Sequence, residues 1–179
     1  MSELLQLTFW ATFLSAAVRT AIPILCASIG EDISEKAGII NVGLEAVMLV
    51  GAFFGFAAAY LTHSLFWGFV VGMLAGMLLS LLHAFLSVYL KQDQNVAGVA
   101  LNLLATGLTS YIFQLMVNRY GIPQIETLKS VPIPLLSKIP LIGDALFNKD
   151  IVVYFSYLLV VFLVSYYKKT IWGMSCLLY

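Results

Sequence analysis

Apolar residues in this chain fall into long unbroken blocks, not into the short periods of a soluble strand or amphipathic helix. A membrane-spanning helix needs about 20 mostly apolar residues, and five segments approach that length: residues 7–29, 39–60, 66–90, 96–117 and 151–167. Arg19 and Pro23 interrupt the first, which reads either as one kinked span or as an interfacial helix leading into a shorter segment. Polar residues separate the blocks: Glu31, Asp32, Glu35 and Lys36 after the first, Thr62, His63 and Ser64 after the second, and Lys91 to Asn95 after the third. Residues 118–149 form the one long connection. It holds Pro123, Pro132, Pro134 and Pro140, so it is not a single continuous helix. The stretch 131–136 within it either rests on the membrane surface or is an ordinary structured connection.

Composition strengthens the membrane reading. Of the 179 residues, 61% are hydrophobic and only 10% charged, against roughly 25% charged in a soluble domain. A water-facing surface could not be covered from that supply. Only helices and closed barrels satisfy the backbone in lipid. Barrel strands alternate over about ten residues, whereas these blocks are longer and rich in Leu, Ala, Gly and Phe. The expected fold is therefore all-α: one polytopic transmembrane helical domain with membrane lipid around it.

Charge and motif content exclude several functions. Nine basic and nine acidic residues balance to zero, and no basic run offers a nucleic-acid surface. Cys26 and Cys176 lie far apart without metal-ligand spacing and read as small apolar fillers. His63 and His83 have no acidic neighbours in sequence and read as packing residues. Residues 1–9 contain Glu3 and no Lys or Arg, unlike a cleaved signal. There is no phosphate-binding Gly-x-x-x-x-Gly-Lys-Ser/Thr loop. No cofactor is expected in this chain, no covalent chemistry either, and any ATP must be bound by a partner.

Polar and small residues inside the blocks carry the remaining information. Gly51 and Gly55 share a helix face, as do Gly68, Gly72 and Gly76, and such faces let helix backbones approach closely. Ionisable groups at membrane depth usually face protein or water. Arg19 lies in the first block, and Glu45 lies on the same broad face of the second as Asn41. Arg19 and Glu45 read either as an internal ion pair or as headgroup-level residues, Arg19 snorkelling to water. Asn102, Thr106, Thr109 and Ser110 recur at three- or four-residue intervals, extended by Gln114. That stripe suits either a pathway for a neutral solute or a helix contact.

Two long motifs then resemble a known family. The first is Glu31-Asp-Ile-Ser-Glu-Lys-Ala-Gly-Ile-Ile-Asn-Val-Gly-Leu-Glu-Ala46, continuing to Gly51. The second runs from Asn95 to Thr109, through Gly98, Ala100, Asn102, Leu103, Leu104, Ala105 and Gly107. Both resemble permease subunits of bacterial ABC importers in the simple-sugar and nucleoside branch, related to the branched-chain amino acid permeases. In the first motif Ser34, Glu35, Lys36, Gly38, Asn41, Gly43 and Glu45 match; Ala46 replaces the usual glycine and Lys36 the usual arginine. Arg19 to Leu25 fits the family's Arg-x-x-x-Pro opening.

The resemblance implies a bacterial inner-membrane, multi-pass permease. Its partners would be a second permease subunit, ABC ATPase subunits that bind ATP, and an extracytoplasmic solute-binding protein. Counting basic residues in the loops leaves orientation tied: Lys36, Lys91, Lys168 and Lys169 on one side, Arg119, Lys129, Lys138 and Lys149 on the other. Thr170-Ile171-Trp172-Gly173 resembles the start of the family's cytoplasmic coupling region, which puts Lys168-Lys169 inside and the N-terminus outside. The chain stops at Tyr179, before the coupling helix and remaining spans of the family, so a truncated permease, inactive as a fragment, is expected. The alternatives are a subunit of a split permease, or a secondary transporter or channel subunit.

Overall fold

The computed structural model describes residues 7–36, 38–121, 124–125, 130–132 and 148–169. The elements are α1 (Leu7–Lys36), α2 (Leu44–Thr62), α3 (Leu65–Ala84) with a π turn at Phe85–Tyr89, α4 (Gln94–Tyr120), strands β1 (Ser130–Pro132) and β2 (Asn148–Asp150), and α5 (Ile151–Lys169). Among the described residues, four helices are long and apolar enough to cross a membrane, and the described apolar stretch of α5, Ile151–Ser165, is shorter. The chain is thus helical with four to five membrane-length elements, joined by one small antiparallel ribbon that the apolar pattern did not reveal. The expected features at Lys129, residues 133–147, Thr170–Gly173 and Cys176 lie outside the described residues.

Contacts divide the chain into two units, Glu31–Glu126 and Met1–Gly30 with Thr127–Tyr179. α1 is one helix passing through both. It runs on past Pro23 and also takes in the polar stretch read above as an interruption. Glu, Lys and Ser are tolerated in a helix, and Lys36 pairs with Asp32 one turn earlier at 2.6 Å. The helix stops at Gly38, whose φ of +83° is open to glycine. Gly38 N–H donates to Glu35 O at 2.9 Å and Ile39 N–H to Ser34 O at 3.0 Å, the paired bonds of a glycine-terminated helix.

In the unit 31–126, α2 and α3 form an antiparallel hairpin around a two-residue turn, with His63 left-handed at φ 51°. The glycine faces interlock. A Cβ placed on Gly72 would lie 2.8 Å from Gly51 O, and one on Gly68 2.9 Å from Gly55 O. The two stripes therefore pack on each other within one chain, with backbone against backbone. α3 ends in a π turn, where Leu90 N–H reaches back five residues to Phe85 O at 3.0 Å. Asp93 then caps α4, its carboxylate accepting from Asn95 N–H at 2.8 Å and Val96 N–H at 3.1 Å. Ala46, Val50, Leu101 and Ala105 form the core, flanked by Phe54, Ala75, Leu79 and Leu86. Leu78, Met73 and Leu103 stay exposed on the outer faces, as expected of a surface solvated by lipid.

In the other unit, β1 and β2 pair antiparallel with Val131 opposite Lys149 and Pro132 opposite Asn148. Proline fits there because an edge strand has no inner neighbour to receive an N–H. α5 follows β2 without a break.

Candidate functional site

The richest polar arrangement in the unit 31–126 lies where segment 38–43 meets the first turns of α2 and α4. The backbone of that segment is not helical, so its N–H and C=O groups need partners from elsewhere. Side chains supply them. Gln94 Oε1 accepts from Ile40 N–H at 2.8 Å, and Glu31 Oε1 accepts from Asn41 N–H at 2.7 Å. Asn102 serves both directions: Oδ1 accepts from Ala46 N–H at 2.8 Å, while Nδ2 donates to Val42 O at 3.2 Å. Gly98 permits this closeness, since a Cβ there would lie 2.7 Å from Gly43 N and 2.9 Å from Val42 C. Glu31 Oε2 and Asn41 Oδ1 remain buried without a hydrogen-bond partner.

The two sequence motifs therefore meet in space: Val42, Gly43 and Ala46 of the first contact Gly98 and Asn102 of the second. Ala46, standing where the family usually has glycine, is fully buried in the core. Glu45 is separate from the junction; it is exposed on the first turn of α2, where a carboxylate suits the positive end of the helix dipole. Thr106 Oγ1 donates to Asn102 O at 2.8 Å and Thr109 Oγ1 to Ala105 O at 2.7 Å, so both hydroxyls bond within their own helix. Thr106 is exposed and Thr109 buried. Glu31 opens the first motif and Gln94 immediately precedes the second, both as ordinary polar residues in sequence; their backbone partners single them out.

At the other end of the same unit, Tyr60 meets Tyr120 edge-on at 6.2 Å, and Arg119 lies 5.6 Å from the Tyr120 ring. His83 is buried within α3, its Nε2 3.3 Å from Ser87 Oγ, in keeping with a packing residue.

In the unit holding the ribbon, Arg19 faces Asp150 at 3.9 Å. Glu45 belongs to the other unit. Lys149, placed in the loop by its sequence position, is wholly buried: Nζ donates to Ser15 O at 2.8 Å and to Ser15 Oγ. Ser15 and Arg19 are four residues apart on α1, so consecutive residues of β2 engage one face of that helix. No group of three His, Cys, Asp or Glu capable of holding a metal ion occurs among the described residues.

Residues 13–178 match the family described as the branched-chain amino acid transport system / permease component. The chain belongs to this family. It is a multi-pass membrane protein and a permease component related to ABC importers. TsgC13 of Haloferax volcanii, provisionally named a glucose ABC transporter permease protein, is 40% identical over 158 residues, covering 86% of this chain and 47% of that protein. The guanosine ABC transporter permease protein NupQ of Bacillus subtilis is 33% identical over 158 residues, 82% of this chain and 46% of its own length. The nucleoside ABC transporter permease protein NupC of Lactococcus lactis is 38% identical over 133 residues, 71% and 42% respectively. The chain spans about half the length of the curated relatives it matches. No solved structure matches.

Proposed function

We propose that this permease chain forms part of the membrane passage of an ATP-driven importer for simple sugars or nucleosides, seated in the cytoplasmic membrane. The observation that carries the reading is the match over residues 13–178, within which both motifs converge on one junction. Relatives named for glucose, guanosine and nucleosides support a neutral, hydroxyl-bearing solute. In this reading the permease performs no covalent chemistry. A second permease subunit completes the passage, partner ATPases bind and hydrolyse ATP, and an extracytoplasmic binding protein delivers the solute. The test is uptake of labelled guanosine and glucose into proteoliposomes carrying the permease, its ATPase and its binding protein. Uptake that needs ATP inside and binding protein outside supports the reading. Flux driven by an ion gradient with the ATPase absent overturns it in favour of a secondary transporter.

A further inference from the structure

A groove of about 440 Å³ runs along the α2–α3 hairpin in the unit 31–126. Its inner side is Val50 and Phe54 of α2 with Ala75 and Leu79 of α3, residues that also form or flank the core. Leu74, Leu78 and Leu82 make its outer lip, and all three are exposed. The glycine contact explains this shape. Gly51 and Gly55 meet Gly68 and Gly72 backbone to backbone, so the larger side chains beside them stand on the flank of the pair. Ala75, between Val71 and Leu79 on one ridge of α3, supplies the hollow.

What fills the groove is constrained by its chemistry and its width. Every lining side chain is apolar, and an apolar hollow does not hold water. Both helices are long and apolar enough to cross a membrane, so the groove opens towards lipid. From Val71 to Leu82 it extends about 16 Å along α3 at about 1.5 Å per residue. Over that length its mean cross-section is about 27 Å². A helix with side chains is about 10 Å across or more, at least about 80 Å² in section. The groove also offers far less surface than the roughly 800 Å² per partner that a stable protein interface buries. An unbranched hydrocarbon chain is narrow enough, and every bilayer phospholipid carries such chains.

We propose that this groove is a lipid site, which holds one acyl chain of a membrane phospholipid along α3 in preference to the rest of that helix's surface. The acyl chain supplies the dispersion contacts that Val50, Ala75 and Leu79 lack on their open side, and so stabilises the hairpin. The site stands whatever the permease carries and whatever drives it.

Photocrosslinking in the full chain tests this without any transport assay. The chain is reconstituted in vesicles of phosphatidylethanolamine and phosphatidylglycerol, doped with a phospholipid bearing a diazirine in mid-acyl chain. Crosslinks are then mapped by mass spectrometry. α3 supplies its own control, because Met73 and Met77 are comparably exposed but lie outside the groove. Leu74 and Leu78 should be labelled at least about fivefold more than Met73 and Met77. Ala75→Phe fills the hollow and should bring the two pairs level. Should that variant fail to fold, Leu78→Trp closes the exposed lip without entering the core, and the bias at Leu74 is read in its place. Even labelling of both pairs in the unaltered chain overturns the proposal, since α3 then meets only ordinary surface lipid. A bias that survives in the folded, filled variant overturns it too, since the acyl chain then sits elsewhere. So does a disulfide between copies of Leu78→Cys in a background carrying Cys26→Ser and Cys176→Ser, because a second copy then covers the groove.

Discussion

Asn102, on α4, closes the N-terminus of α2 from another helix: its Oδ1 accepts from Ala46 N–H at 2.8 Å while its Nδ2 holds Val42 O at 3.2 Å. The first N–H groups of a helix have no intrahelical acceptor. Gly43, at the cap position of α2, has no side chain to offer one. A residue nearly sixty positions away does the work that Ser or Asp would do locally. The closure depends on α4 lying against segment 42–43, which joins the capping of one helix to the packing of two.

Replacing Asn102 with Leu should therefore lower stability by about 1–2 kcal/mol, by leaving Ala46 N–H and Val42 O unpaired. Asn102→Asp keeps an acceptor for Ala46 and should lose less. Thermal unfolding in detergent micelles measures the difference; equal losses for the two variants would show that the acceptor contributes nothing.

Gly98 and Gly107 occupy the same helix and should respond oppositely to alanine. At Gly98 the new Cβ meets the backbone of Val42 and Gly43 below 3.0 Å, so α4 must shift, at about 1–3 kcal/mol. At Gly107 nothing lies within 4 Å, and alanine should stabilise the helix by up to about 1 kcal/mol. Denaturation midpoints of the two variants decide whether close approach or helix propensity governs each site.

The α2–α3 hairpin allows a graded test. Gly72→Ala places a Cβ 2.8 Å from Gly51 O, whereas Gly76→Ala meets Val47 at 3.5 Å, an ordinary contact. Gly72→Ala should push the helices apart and cost about 1–3 kcal/mol, while Gly76→Ala stays near neutral. Disulfide-trapping rates between cysteines placed on the two helices would register the separation directly.

Glu31 and Asp32 are adjacent carboxylates with different duties. Asp32 makes an exposed i,i+4 pair with Lys36, so Asp32→Ala should cost no more than about 0.5 kcal/mol and its effect should fade in high salt. Glu31 accepts the Asn41 N–H in a partly buried setting, and Glu31→Ala should cost about 1–2 kcal/mol at any ionic strength. Glu31→Gln, which retains an acceptor oxygen, should recover part of it. Unfolding at low and high salt separates the two residues.

Lys149→Ala should destabilise the ribbon unit by about 1–3 kcal/mol, because Ser15 loses its bonded cation and a buried volume empties. Ser15→Ala should cost less, since its backbone carbonyl still accepts from Lys149. A double-mutant cycle on unfolding free energy measures the coupling, and strict additivity would show that the two do not act together.

The sequence by itself determined that this chain lives in a membrane, where its apolar helices lie and which family it belongs to. Those properties reside in runs of neighbouring residues: some 20 apolar positions mark a span wherever they occur. The interlocking of Gly51 and Gly55 with Gly68 and Gly72 was half legible, as small faces without a stated partner. The ends of the elements were harder to read. The polar run 31–36 looked like a break but is helical, because charged residues end a membrane span without ending a helix.

Only the tertiary structure decided what the polar residues do. Arg19 found Asp150 across a ribbon that three residues per strand could not announce. Lys149 looked like one more loop cation until Ser15 enclosed it, and the threonines of α4 turned their hydroxyls onto their own backbone. A hydrogen bond is a relation between two places in space, and its partner's sequence distance is unconstrained: Asn102 needs α2 beside it before its amide has anything to hold.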